Sequence, residues 1–294
     1  MRLVAALAIG VLLQPGPAAN PDSLVRDVGS MAAAGSHEAR FEALTALLTA
    51  RKLAFEVEPF SLDKPAGAET RTAGRNIVVS LGAGDEHIVI GAHYDAARLK
   101  DGTFVDGAVD NAASSVMLVH LADALRAAQP TKRIHIVWFD LEETGLRGAA
   151  AYAERHAART TSAMLNFDIN AYGDTTLFGP SERQENVALK RTLLTTCAAE
   201  AVNCVAFPQM PPGDDRVFTE RGIPTLSLAM LPAIELHQLW LMMNAGPDAG
   251  LPKGTVPGII RTIHTPDDTI DKVDGKSVAQ ALRLATALVR ALAE

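Results

Sequence analysis

KRIHIVWFDLEETGLRGAAAYAERHA, residues 132–157, decides the fold. Its first half, Ile134–Phe139, is almost wholly apolar and rich in β-branched and aromatic side chains, the signature of a strand buried on both faces. Two adjacent glutamates follow, Glu142 and Glu143, and then a stretch with helical spacing. Neighbouring carboxylates repel, so their place at the end of a core strand needs positive charge from elsewhere in the chain.

The same alternation of strand and helix extends to both sides. AFEVEPFSL (54–62), GRNIVVSLG (74–82), EHIVIGAHYD (86–95), SAMLNFDIN (162–170), TTLFG (175–179) and GIPTLSLAM (222–230) read as strands. Residues 21–53 read as two helices, the second opened by Ser36. Further helices are expected over 110–128, 181–201, Ile234–Met243 and 275–294. Strands alternating with helices predict an α/β fold: a three-layer α/β/α sandwich around a central mixed, mainly parallel sheet. Such sheets bind ligands at the carboxyl ends of their strands.

The first twenty residues stand apart. MRLVAALAIGVLLQPGPAAN has Arg2, an apolar stretch from Leu3 to Leu13 and a small-residue exit. The stretch is shorter than the roughly 20 residues that span a bilayer, and the pattern predicts a signal peptide over 1–19. A single domain over 20–294 is expected to follow, periplasmic or secreted, with no membrane attachment after cleavage. Cys197 and Cys204 are the only cysteines. In an exported protein they are expected to pair, closing a short loop worth roughly 2.5 kcal/mol in the chain-entropy view. A net charge of −7, with lysine and arginine scattered singly, argues against nucleic acid as a partner. Monomer is the default state.

Residues at the strand ends carry the chemistry. His93 and Asp95 follow IVIGA; Asp110 opens a helix; Glu142 and Glu143 follow HIVWFD; Asp168 follows MLNF; His264 precedes the last helix. Each has an ordinary reading. Asp110 is a natural helix N-cap, the glutamates suit a first helical turn, and Asp95, Asp168 and His264 fit turns and loops. Together, two histidines and several carboxylates at one sheet edge form an N/O ligand set for one or two divalent ions such as zinc. His87, His120, His135 and His156 are read as structural.

GAHYD (91–95), DGAVDNAAS (106–114), FDLEETGLRGA (139–149), NFD (166–168) and IHTPDDT (263–269) occur in the order and at the spacing of a known family. The chain resembles, from about residue 74 to 272, the exported dinuclear zinc aminopeptidases, whose superfamily also holds glutamate carboxypeptidases and glutaminyl cyclases. The resemblance implies two zinc ions per chain. His93 and Asp168 would bind one, Glu143 and His264 the other, and Asp110 would bridge them. Asp95 would orient His93, and Glu142 would be the general base. The substrates implied are peptides with a free N-terminus.

Two departures mark this chain. GDDRVF (213–218) has Arg216 where the family carries histidine in an acid–histidine pair, which leaves substrate contacts of Asp214, Asp215 and Arg216 open. The segment 231–263 matches no family pattern. Its Ile234, Leu236, Leu239, Trp240, Met242, Met243, Ile259 and Ile260, with Met230 before them, either line a pocket for apolar N-terminal residues or pack as core. The alternative activity is that of a glutaminyl cyclase, a zinc acyltransferase forming N-terminal pyroglutamate; VDN at 109–111 and HTPDDT look more like the two-metal peptidases. A metal-free binding domain would have lost ligand positions, and all five are intact.

Overall fold

The computed structural model describes residues 19–65, 70–127, 130–157, 159–246 and 250–294. The expected signal peptide therefore lies outside the described residues except for Ala19. Helices α1 (Pro21–Ala32) and α2 (His37–Ala50) lead into strands β1 (Glu56–Ser61), β2 (Ala73–Leu81) and β3 (Glu86–His93). Then come α3 (Ala113–Leu125), β4 (Arg133–Phe139), α4 (Arg147–Arg155), β5 (Thr160–Phe167), β6 (Thr175–Gly179) and α5 (Val187–Ala199). The remainder is β7 (Asn203–Ala206), α6 (Asp215–Thr219), β8 (Thr225–Leu231), α7 (Ala233–Asn244), α8 (Gly258–Thr262) and α9 (Gly275–Ala293). Among the described residues no helix is long and apolar enough to cross a membrane.

The eight strands form one mixed sheet in the order β1-β2-β4-β3-β5-β8-β6-β7. Its centre, β4-β3-β5-β8, is parallel, whereas β1, β2 and β6 pair antiparallel to a neighbour. The parallel centre brings the carboxyl ends of β3, β4 and β5 to one edge, the edge the strand-end residues required.

Side chains alternate across the sheet with the two-residue period of the pleat. Ile77, Val79, Ile88, Ile90, Ile136 and Trp138 face the larger core beneath α1, α2, α3, α5 and α9. Val78, Val89, Val137, Phe139 and Met164 face the smaller core under α4 and α6, which contributes Tyr152 and Phe218. The expected α/β/α layering follows. Ser36 caps α2 by accepting from Ala39 N at 3.2 Å, as its position suggested. Cys197 and Cys204 form a disulfide tying α5 to β7. The sequence reading overlooked β7, α6 and α8, each of five residues or fewer, because so short a segment shows no period.

One expectation fails locally. Asp110 does not cap α3, which begins at Ala113; it lies in a distorted turn over Ala108–Ala112 with φ −119° and ψ 88°. Its carboxylate is thereby freed from the backbone and turned to the sheet edge.

The histidines read as structural lie away from that edge. His120 meets Asp27 at 2.9 Å. His135 sits beneath α4, with Tyr152 Oη 2.6 Å from its Nδ1 and Arg159 close by. Burial, with Arg159 and His87 adding to it, pushes the His135 imidazole down to about 3 from 6.5. The unfolded chain therefore binds this proton more readily than the folded one. The neutral ring's contribution to stability is whole above pH 6.5 and is lost as pH falls toward 3. Chemical denaturation across that window should show the wild type losing stability faster than His135→Phe, since every other acid is common to both; parallel curves would show that His135 carries no such linkage.

Candidate active site

The strand-end residues converge. His93, the last residue of β3, places Nε2 at 3.0 Å from Asp110 Oδ1 and 3.6 Å from Asp168 Oδ1. His264 places Nε2 at 3.2 Å from Asp110 Oδ2 and 2.9 Å from Glu143 Oε2. Two triads with ligand atoms within 4.8 Å of one another result, His93–Asp110–Asp168 and Asp110–Glu143–His264, and Asp110 belongs to both. Glu142 adds a third grouping with His93 and Glu143. All six sequence-assigned residues are thus in one cluster, and Asp95 lies behind it with Oδ1 3.4 Å from His93 Nδ1.

The backbone holds these side chains by unusual means. Leu141, Ile169 and His264 all have positive φ, at 58°, 59° and 56°, and each is a site residue or adjoins one. Left-handed backbone is costly for non-glycine residues and collects at functional sites, where surrounding contacts enforce it. Gly148, in the opening motif, is demanded by close approach: a Cβ there would stand 2.4 Å from the carbonyl oxygen of Asp140 and from Asn76 Oδ1. The turn after Glu143 therefore packs directly on β2 and fixes where the two glutamates emerge.

Four residues support the cluster in ways the sequence did not disclose. Asp95 does more than face His93: its carboxylate accepts from the backbone N–H of Glu142 at 3.1 Å and of Glu143 at 3.2 Å. Asp268, within IHTPDDT, accepts from Val109 N at 2.6 Å and Asp110 N at 3.1 Å and anchors the distorted turn. Asn111 bridges that turn to the end of β5, donating to Phe167 O at 2.9 Å and accepting from Ile169 N at 3.3 Å. Arg40 of α2 is fully buried and donates to the carbonyls of Tyr94, Asp95, Asp106 and Gly107, joining the loop of Asp95 to the loop of Asp110. Side chain-to-backbone bonds of this kind leave no spacing signature: Asp95 was expected to orient His93 and Asp268 lies within a family motif, but the tethers they make were not visible in advance.

The loop before α6 corrects the emphasis placed on Arg216. That guanidinium is exposed and meets Glu220 at 3.0 Å, while Asp214 and Asp215 are buried. Gly213 brings this loop against Asp168: a Cβ at Gly213 would lie 3.8 Å from Asp168 Oδ2. The loop contributes acid to the site, not a cation.

The electrostatics show a shortage of positive charge. Burial holds the carboxyls of Glu142 and Asp214 well above the usual range, with neighbouring acids adding to the effect. Burial, aided by Asp110 for Glu143 and by Asp168 for Asp215, pushes each to about 7. His264 is raised to about 11 by hydrogen bonds to Asp110 and Glu143. Burial pulls His93 down, but Glu142 and the carboxylates of Asp110, Asp168 and Asp95 outweigh it and hold it well above 6.5. Asp110 is pushed up by burial, yet hydrogen bonds from His264 and His93 outweigh it and keep it below its ordinary value. Glu143 Oε1 and Asp168 Oδ1 are buried with no hydrogen-bond partner. Orphaned buried carboxylate oxygens facing imidazole nitrogens, without thiolate, fit a borderline or hard divalent cation such as zinc.

The residues of 231–263 divide. Met230, Leu236, Leu239 and Ile259 are core, and Trp240 and Met243 pack partly buried against it. Ile234, Met242 and Ile260 are exposed. A cavity of about 200 Å3 beside Glu143 and His264 is lined by none of them; its walls come from His37, Asp95–Leu99 and Thr144.

A strand-end cluster of two histidines and paired acids on a mixed α/β sheet defines a class of metal-centred α/β hydrolases. Residues 76–289 match peptidase family M28, and the chain belongs to that family. A probable leucine aminopeptidase of Arthroderma otae is 25% identical over 226 residues, 72% of this chain and 56% of the relative. The chain thus spans little more than half the length of that relative. In fold it resembles BSAP, a zinc aminopeptidase from Bacillus subtilis (TM-score 0.59, 20% identity, 74% of this chain and 50% of that one). It also resembles a glutaminyl cyclase from an Acidobacteriales bacterium (TM-score 0.72, 21% identity, 98% of this chain and 99% of that one).

Arg40 lies outside the matched region yet holds two site loops together. Arg40→Met should lower Zn2+ affinity about 10- to 100-fold, the usual cost of losing a group that orients ligands, with Arg40→Lys in between. Competition with a chromophoric chelator measures it, and unchanged affinity in a folded Arg40→Met protein would make the residue purely structural.

Proposed function

We propose that the chain is an exported, zinc-dependent aminopeptidase that removes the N-terminal residue of peptides. The observation that carries this reading is Asp110, shared between His93–Asp110–Asp168 and Asp110–Glu143–His264 with Glu142 alongside. Two ions per chain would be held by His93 with Asp168 and by His264 with Glu143, with Asp110 within reach of both sets. Zinc held there would lower the pKa of the attacking water and offset charge on the substrate carbonyl oxygen.

The rest belongs to the chain's own residues. Glu142 takes the proton of the attacking water and returns it to the leaving amine nitrogen. Burial raises its pKa, which suits a group that must both accept and donate near neutrality. Asp95 fixes the orientation of His93 and holds the N–H groups of Glu142 and Glu143, so base and ligand keep their separation. The substrate ammonium finds its complement at the acid-rich end formed by Asp168, with Asp214 and Asp215 behind it; a blocked N-terminus forfeits that attraction. A preference for apolar N-terminal residues belongs to the same reading; Ile234, Met242 and Ile260 are exposed on the helices that follow β8 and precede His264 in the chain. The disulfide is consistent with an oxidising compartment, periplasmic or extracellular.

Purified protein assayed on aminoacyl-anilides and glutaminyl peptides, with chelation and zinc add-back, tests the proposal. Leucyl substrates should be cleaved and chelator should abolish cleavage. Pyroglutamyl product without peptide cleavage would establish the cyclase instead. Glu142→Ala should retain metal and lose about 10²- to 10⁴-fold in kcat, whereas His93→Ala and Asp110→Ala should lose metal as well. Near-normal kcat in Glu142→Ala would remove it from the base role, and full zinc occupancy in the other two would overturn the ligand assignment.

A further inference from the structure

The site has a chemical direction. At one end, Asp168 abuts the loop carrying Asp214 and Asp215, and buried oxygens of all three lack hydrogen-bond partners. At the other end lies the cavity of about 200 Å3, which touches Glu143, His264 and Asp95 but not Glu142, Asp168, Asp214 or Asp215. At ~30 Å3 per water it takes about seven waters, a space on the scale of one amino-acid residue.

Its outer wall is a hairpin. Leu99 N donates to Thr103 O at 2.8 Å, Val105 N donates to Ala97 O at 3.0 Å, and Arg98 bridges across to Phe104. Among the described residues, Arg98 is the only arginine or lysine lining the cavity. Its Nη1 donates to Gly102 O at 3.0 Å, and its guanidinium sits 5.8 Å from the centre of the Phe104 ring, which packs edge-on against His37 at 4.8 Å. No carboxylate pairs with Arg98 among the described residues, although acids crowd the neighbouring site. The Arg98 side chain is exposed, and a guanidinium with one bond to a carbonyl keeps donors in its planar fork for a carboxylate.

We infer that this cavity receives the residue following the scissile bond and that Arg98 binds its terminal carboxylate, making dipeptides the favoured substrate class. This rests on the aminopeptidase reading, because that reaction puts the ammonium at the acid end and the leaving residue at the opposite one. The charges of a dipeptide zwitterion then match the two ends of the cleft. A longer peptide has to run past the hairpin without that ion pair.

Steady-state kinetics on Leu-Gly, Leu-Gly-amide and leucyl-anilide, with the zinc-loaded protein, separate the possibilities. The free acid should have a KM roughly tenfold to hundredfold below that of the amide, the range of a hydrogen bond to a charged group. Raising ionic strength should narrow the gap. Arg98→Gln should abolish the acid-over-amide preference through KM, and Arg98→Lys should restore part of it. Equal KM values for acid and amide in the wild type, or a preference that survives in Arg98→Gln, would overturn the inference while leaving the aminopeptidase standing. Failure to cleave any of the three would remove both together.

Discussion

Mutual repulsion among carboxylates governs this molecule. Asp95, Asp110, Glu142, Glu143, Asp168, Asp214, Asp215 and Asp268 gather at the carboxyl edge of the parallel strands, several of them fully buried. Desolvation alone would drive such groups to neutrality, and Glu143, Asp215 and Asp268 are indeed pushed to about 7, 7 and 6. The fold answers in two ways. Asp95 and Asp268 are neutralised locally by pairs of backbone N–H donors, and Arg40 places one guanidinium beneath the loops, where Asp95, Asp268 and Asp110 all act on it. Neither answer places a hydrogen-bond donor on the carboxylates of the triads that share Asp110. There the charge remains open, and a divalent cation is the group whose size and charge fit it.

The backbone bears the consequences of placing acids so closely. A regular helix N-terminus at Asp110 would have turned its carboxylate back onto the amides of α3. The distorted turn instead spends those amides elsewhere and directs the carboxylate between two imidazoles. Positive φ at Leu141, Ile169 and His264 does the same work at three other strand ends or loops. Among the described residues, three of the six non-glycine positions with positive φ thus lie where local preference would defeat the site. Elsewhere the sheet is ordinary, with alternating side chains and apolar cores on both faces.

That contrast explains what the sequence disclosed. Strands such as Glu86–His93 and Arg133–Phe139 were legible because double-sided burial demands a β-branched run. His93, Asp110, Glu142, Glu143, Asp168 and His264 were legible because imidazoles and carboxylates at strand ends and in flanking loops recur in the motifs the chain resembles. Arg40, Asn111 and the tethering roles of Asp95 and Asp268 were not, since they act on carbonyls and amides that every residue owns. Arg216 drew attention as an unexpected cation, but charge type does not reveal which way a helix turns: it faces solvent, and its neighbours Asp214 and Asp215 face in. Likewise the apolar residues of 231–263 could not be divided between core and surface until α7 and α8 were placed.

Arranged along the cleft, these features give the two glutamates of the opening motif separate surroundings. Glu143 lies between His264 and Asp110 on the side of the cavity, where cations are present. Glu142 has its ionisation resisted first by burial and then by the charges of Asp214 and Asp168, against that of His93. Adjacent residues of the same type thus acquire different affinities for a proton and for a metal. The difference does not come from the pair itself but from the sheet: the turn that Gly148 and Asp95 fix sets both side chains beside His93 while giving each different further neighbours. Burial raises both carboxyls; at Glu143 a direct hydrogen bond from His264 opposes it, and at Glu142 the charge of His93 does.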